Sequence, residues 1–359
     1  MRLTDLSLSH IRSHSQFDLS GIGDATLIVG KNGSGKSTIL ESIHLLSVGS
    51  SDRAERIEEI IQFGQELGRI KAHIVSGSTS VAGEESATLE ILLTRGVVGG
   101  RKTQSRLWSV NDVRRTHATV AQQIKSVLFR PEDMRLVEGS PGRRRTYCNS
   151  PLSQVISGYA RTLKAYEQFL LRRNKLLVAV REGEQQRSTL TYWTEGLLKH
   201  GEAVQEERRK FIAAINSYAL PLKFKALYVP SLLNAARLTE YFDREIAAGH
   251  TLIGPHKDDI DIDMSELVTN LKKPDFMSVL TYGSRGQQRL AVLWLKMAEL
   301  AFVNEHCGEP PILLLDDIFS ELDLDSQEIV LSMVPNQQTL LTTVEETDVG
   351  LYDWEVVRL

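Results

Sequence analysis

Apolar positions mark several kinds of element along the chain. Leu3, Leu6 and Leu8 alternate with polar residues before a turn, and Ala25-Thr26-Leu27-Ile28-Val29 is an apolar run of buried-strand length. Beyond a glycine-rich segment, Ile39, Leu40, Ile43, Leu45 and Leu46 recur at helical spacing, so this stretch predicts a strand, a loop and a helix. Three strand-like runs, Ile70 to Val75, Thr88 to Thr94 and Arg106 to Val110, lie between the Gly/Ser-rich stretches Ser76-Gly77-Ser78 and Gly99-Gly100, which predicts an antiparallel meander. From about Pro151 to Tyr218 the period lengthens. Val155, Tyr159, Leu163, Tyr166 and Leu170 form one stripe; Leu190, Trp193, Leu197, Val204, Phe211, Ile215 and Tyr218 form a second. These predict two long helices paired as an antiparallel hairpin around the polar Arg181 to Ser188, with most of the aromatics in its seam. Strand-like and loop segments return after Pro221, and a last apolar run, Ile312 to Leu315, ends in Asp316-Asp317.

Composition adds a partner signal. The chain has 359 residues, a length that suggests two structural units or one domain interrupted by another. Its formal net charge is -4, but residues 101–225 hold 24 Lys and Arg against 11 Asp and Glu, a net of +13, which leaves -17 for the remainder. A basic segment on an acidic protein concentrates positive potential where a polyanion docks. No apolar run approaches the roughly 18 residues of a membrane span, so no membrane partner is expected. The N-terminus lacks the apolar core of a signal peptide, and two cysteines, Cys148 and Cys307, sit in no metal-ligand spacing. A cytoplasmic location is the expectation.

The chemistry concentrates in two places. Gly30-Lys31-Asn32-Gly33-Ser34-Gly35-Lys36-Ser37 fits G-x-x-x-x-G-K-[ST], with a predicted strand before it and a helix after it. Glycines let backbone amides converge on phosphate, Lys36 neutralises the β and γ phosphates, and the Ser37 hydroxyl suits Mg²⁺. With Thr38, these residues form the candidate nucleotide-binding set. At the end of the apolar run, Asp316 suits Mg²⁺ and Asp317 suits orientation of a hydrolytic water.

Ser284-Arg285-Gly286-Gln287 precedes that strand and Ser320-Glu321-Leu322-Asp323 follows it. In this order the four elements resemble the ABC-type ATPase heads shared by transporters, SMC proteins and DNA-repair ATPases. The resemblance implies an α/β fold, an ABC-type ATPase head with a P-loop core and an antiparallel β subdomain, carrying an α-helical arm. It also implies an ATP-dependent homodimer in which Ser284, Arg285, Gly286 and Gln287 form a signature that caps the partner's ATP. Ser320 to Asp323 would be the D-loop, and Lys36 and Asp317 the catalytic pair.

About 250 residues separate Lys36 from Ser284. That is too long for a transporter's helical insert and too short for an SMC coiled coil, and it is similar to the RecF family. Phe129-Arg130-Pro131-Glu132-Asp133-Met134, Glu138 to Arg145, and Gly254-Pro255-His256-Lys257-Asp258-Asp259 support this resemblance. Its implications are binding of duplex or gapped DNA, a part in loading RecA together with RecR and RecO, and hydrolysis of ATP with Mg²⁺. The chain departs from the RecF pattern where Cys148-Asn149 replaces Leu-Asp. It departs from other ABC heads in three places: Glu132 stands nearest the Q-loop glutamine, the strand Leu340-Leu341-Thr342-Thr343-Val344 has a threonine hydroxyl at about the place of the switch histidine, and Asp317 replaces a longer glutamate. Together these features predict slow hydrolysis. Other readings are an SMC-like structural head and a transport-coupled ATPase subunit.

The predicted boundaries place the head at 1–115 and 245–359 and the arm at 116–244. Arg143, Arg144 and Arg145, with Arg161, Lys164, Arg172, Arg173 and Lys175 on one helix face, are the candidate DNA contacts. An alternative use for Arg143 to Arg145 is pairing with head carboxylates.

Overall fold

A computed structural model describes residues 1–51, 53–54, 56–76, 85–267, 275–346 and 352–359. The predicted turn at Ser76-Gly77-Ser78 lies largely outside them. The chain divides into two compact units, Met1–Asp133 with Val303–Leu359, and Met134–Phe302.

The first unit is α/β. Its parallel sheet runs Ser126–Phe129, Ile312–Asp316, Thr339–Thr343, Ala25–Val29, Glu355–Arg358. Ile28, Leu314 and Leu340 are fully buried there, as a parallel sheet requires of its strands. An antiparallel sheet runs His14–Ser20, Arg2–Ile11, Leu67–Ser76, Glu85–Thr94, Arg106–Val110, Val113–Arg115, and contains the expected meander. Leu3, Leu6, Leu8, Ile70, Ile91 and Leu93 from this sheet share one core with Ile39, Leu40 and Ile43 of the helix Lys36–Val48.

The second unit is mainly helical. Tyr159–Arg181 and Thr191–Ser217 pack on each other as the expected hairpin, with Tyr166, Leu177, Leu197, Val204 and Phe211 buried. Val155 belongs instead to the preceding helix, Pro141–Val155, because Gly158 breaks the chain in the left-handed region at φ 82°. A further helix, Ala235–Ala248, falls where strands and loops were expected. Asn234 caps its start by accepting from the Arg237 amide, and Gly249 ends it at φ 71°.

The unit boundaries differ from those read in the sequence. His117–Gln123 and Ser126–Phe129 lie in the first unit, where Ser126–Phe129 pairs with Ile312–Asp316. Residues 245–302 lie in the second, where Lys225–Val229 pairs with Asp259–Asp263. Among the described residues, no helix is long and apolar enough to cross a membrane.

Candidate nucleotide-binding site

Residues 30–35 connect the strand Ala25–Val29 to the helix Lys36–Val48 as a loop that only glycine can build at two points. Gly33 and Gly35 have φ of 84° and 99°. A Cβ on Gly35 would also stand 2.2 Å from His14 Nε2. Lys36 is buried and donates to the carbonyls of Gly30 and Lys31, so its ammonium is folded over the loop it follows. Ser34 Oγ is buried with no hydrogen-bond partner among the described residues. An orphaned hydroxyl in a loop of converging amides fits an anionic ligand.

Opposite the helix start, Ser37 Oγ donates to Asp316 Oδ1 at 2.8 Å. Thr342 Oγ1 donates to the same oxygen at 2.8 Å, fixing the carboxylate from the neighbouring strand. Asp317 has φ 48°, a left-handed conformation, and its amide donates to the carbonyl oxygen and the hydroxyl of Thr342 at 3.2 and 3.0 Å. Thr342 therefore organises both acids. Arg53, Arg130 and Glu41 line the same recess as Ser37 and Asp316, with Arg130 in an ion pair with Asp133 at 3.1 Å. His14, which accompanies the loop through Nε2 3.2 Å from Gly35 O, has no signature in sequence spacing.

Ser320 Oγ of the expected D-loop donates to Asp317 O at 2.8 Å, so this segment is tied to the strand end. Leu322 is buried, Glu321 half-buried, and Asp323 caps the helix Leu324–Met333 by accepting from the Ser326 amide. In the second unit, the signature is a reciprocal helix cap. The Ser284 amide donates to Gln287 Oε1 at 2.9 Å while the Gln287 amide donates to Ser284 Oγ at 3.3 Å. This opens the 23-residue helix Arg285–Cys307 with Ser284, Arg285 and Gly286 exposed. Exposed amides at such a terminus favour an anion.

The family departures have local explanations. Cys148 is buried, which pushes its thiol up to about 12. Asn149 Oδ1 accepts from Tyr159 OH and from Nε and Nη2 of Arg208. The charge partner of Arg208 is the buried Asp258, 2.9 Å away. Asn149 thus supplies acceptors without adding a second buried carboxylate. Glu132 is exposed, whereas Thr343 Oγ1 donates to Glu345 O.

Two DNA candidates require correction. Arg173 is fully buried, ion-paired to Glu245 at 2.6 Å and bonded to Thr251 and Thr194. Arg144 is buried on Asp259 and on three carbonyls, Leu136, Val137 and Gly139. Neither guanidinium is presented to a ligand. Arg145 is half-buried and donates to Asp258 O at 2.9 Å. Arg143, Arg161, Lys164, Arg172 and Lys175 are exposed, the last four along one side of a single helix. His256 is structural: Tyr166 OH lies 2.7 Å from Nδ1 and Thr251 O 3.1 Å from Nε2, and burial lowers its pKa to about 4.

Three comparisons bear on this arrangement. The family model described as RecF/RecN/SMC N terminal domain matches residues 2–350. A DNA replication and repair protein RecF of Herpetosiphon aurantiacus is 34% identical over 375 residues, covering 97% of this chain and 94% of the relative. Two solved structures of the recombination mediator protein RecF in the RecFOR pathway share the fold. The one described as RecF-ATPrS has a TM-score of 0.84 at 24% identity, covering 100% of this chain and 96% of that one; the one described as RecF-ATP has 0.81 at 25%, covering 97% and 93%. With a P-loop, a strand-end acid pair and an exposed signature cap in one chain, and with both the family model and an end-to-end relative matching, this chain belongs to the RecF family.

Proposed function

We propose that the chain is an ATP-hydrolysing, DNA-binding mediator of recombinational repair. One contact carries the reading: Ser37 Oγ, at the start of the P-loop helix, stands 2.8 Å from Asp316 Oδ1 at the end of a parallel strand. A hydroxyl and a carboxylate so placed are hard oxygen donors of the kind Mg²⁺ takes. Mg²⁺ would offset charge on the phosphates there. The protein's own groups do the rest. Converging amides hold the phosphates, Lys36 exchanges its loop carbonyls for phosphate oxygens, and Asp317 orients a water toward the γ phosphate.

A second copy of the chain supplies the signature. Ser284 and the Gly286 amide would contact the γ phosphate across an ATP-dependent homodimer, and exposed apolar residues beside these motifs suit such a surface: Leu280 and Tyr282 before the signature, Leu324 after the D-loop. ATP then favours the closed dimer because the signature meets nucleotide only in that state. The carboxylate on Asp317 is short for its task, which makes hydrolysis slow and suits a switch. The closed dimer holds duplex or gapped DNA, and the protein acts with RecR and RecO to assist RecA.

The test is light scattering with and without ATP and gapped duplex, combined with salt-dependent DNA binding. The wild-type chain is expected to dimerise with ATP and to bind duplex more tightly. Lys36→Met should lose ATP binding; Ser284→Arg should keep it and stay monomeric. A Ser284→Arg chain that dimerises normally would overturn capping in trans. Absence of any ATP-stimulated duplex binding would remove the DNA reading.

A further inference from the structure

In the first unit, Phe63 is 98% exposed. A single exposed apolar residue is ordinary, but this ring stands on a turn held from every side. Ile61 bridges to Ile11. The Gln62 amide donates to His10 O at 2.9 Å, and the Gln62 side chain lies 3.1 Å from His10 Nδ1 while its Nε2 donates to Ser15 Oγ at 3.0 Å. The Gln65 amide closes the turn on Gln62 O at 3.1 Å, and Arg95 donates to the carbonyls of Gln65, Ile61 and Gln62. Gly64, at φ 83° with open space around it, gives the turn its shape. Beside it Arg12, at φ 51°, belongs to the two-residue hairpin turn that joins Ile11 to His14, so the ring rises from a well-defined hairpin end.

The surroundings are cationic. Phe63 borders an open groove of about 1230 Å³ that Arg12, Arg56, Arg95 and Arg106 line, against Glu58 and Glu59. Arg12 is paired with Glu41, Arg95 holds the turn and Arg106 donates to Gly49 O at 2.6 Å, whereas Arg56 is exposed. A rigid ring rimmed by guanidinium groups is suited to a polyanion with flat apolar faces, which is a nucleic acid. Continuous duplex hides its base faces in the stack. An open face exists only where stacking is interrupted, at an end, a nick or a gap.

We propose that Phe63 stacks on the exposed terminal base of a duplex at a strand interruption while Arg56 holds an adjoining phosphate, so that this turn distinguishes gapped from continuous DNA. The inference rests on the DNA-binding reading above and adds the residue that selects the junction. Stacking of one base on an aromatic side chain is typically worth about tenfold or more in affinity.

The test uses the full chain with ATP, a continuous duplex and a gapped duplex carrying 2-aminopurine in the base pair at the junction. Wild type should prefer the gapped duplex by about tenfold and change the 2-aminopurine emission. Phe63→Ala should lose both the preference and the emission change, with continuous-duplex affinity and ATP binding retained, and Phe63→Trp should keep both. Arg56→Ala should weaken both duplexes alike and flatten the salt dependence. The inference is overturned if Phe63→Ala keeps the preference and the emission change, or weakens both duplexes equally. It is also overturned if that variant binds DNA as wild type does and loses only a protein partner. If the wild-type chain binds neither duplex with ATP, the DNA reading itself fails, an outcome separate from all of these.

Discussion

Asp317 shows how one residue is held ready at a cost. Its left-handed backbone is a conformation that typically costs about 1–3 kcal/mol at a non-glycine position, less for aspartate than for bulkier residues. Two hydrogen bonds from its amide to Thr342 maintain it. The same threonine hydroxyl donates to Asp316, so one residue of the strand Thr339–Thr343 links the two neighbouring acids. Replacing the carboxylate by its amide keeps size and conformation and removes basicity. Asp317→Asn is therefore expected to lower single-turnover ATP hydrolysis about 100-fold or more while leaving nucleotide affinity near wild type. An affinity loss as large as the rate loss would show that Asp317 binds ATP rather than activating water. The acid pair was legible in the sequence as the end of an apolar strand. Its backbone strain was not, because the stabilising partner lies 25 residues further on, in another strand.

At the scale of elements, helical periodicity located the hairpin but could not say which arginine turns inward. Arg172 and Arg173 are neighbours in sequence, yet Arg172 is exposed and Arg173 lies fully buried against Glu245 on the helix Ala235–Ala248. The pairing spans 72 residues, beyond the reach of any local pattern. That helix was itself missed, although Asn234 before it and Gly249 after it are ordinary cap signals. Removing one partner of a buried pair leaves the other charge without compensation. Arg173→Leu should therefore destabilise the chain by about 3–5 kcal/mol in urea unfolding, and Arg173→Leu with Glu245→Leu should recover much of that loss. If both variants unfold at the wild-type midpoint, the pair does not help hold the hairpin to this helix.

For the whole molecule, the separation of charge survives but with fewer free cations than the sequence suggested. Removing Arg144 and Arg173 from the candidate DNA surface leaves Arg143, Arg161, Lys164, Arg172 and Lys175 exposed, with Arg145 partly so. Each cation taken away from a phosphate should reduce the slope of log affinity against log salt by about 0.9. Replacing Arg172 and Lys175 by glutamine is thus expected to flatten the slope for duplex binding by about 2, measured with ATP between low and moderate salt. An unchanged slope would place the DNA elsewhere. The nucleotide loop, the acid pair and the signature were legible because backbone geometry and phosphate chemistry demand particular residue types at fixed spacing. The unit boundaries were less so, because Ser126–Phe129 joins the head through pairing with a strand nearly 190 residues later.

The order of the parallel sheet also governs when the protein becomes competent during its own synthesis. The strand that leads into the P-loop, Ala25–Val29, has Thr339–Thr343 on one side and Glu355–Arg358 on the other. A ribosome adding 5–20 residues each second needs roughly 15–60 s to travel from the first of these strands to its earlier neighbour. Throughout that interval the nascent chain carries the glycine-rich loop with neither flank in place. The antiparallel strands of residues 2–76 are available to pair long before. Nucleotide can therefore first be captured only once Thr339–Thr343 has been made, after the helical unit has already been synthesised.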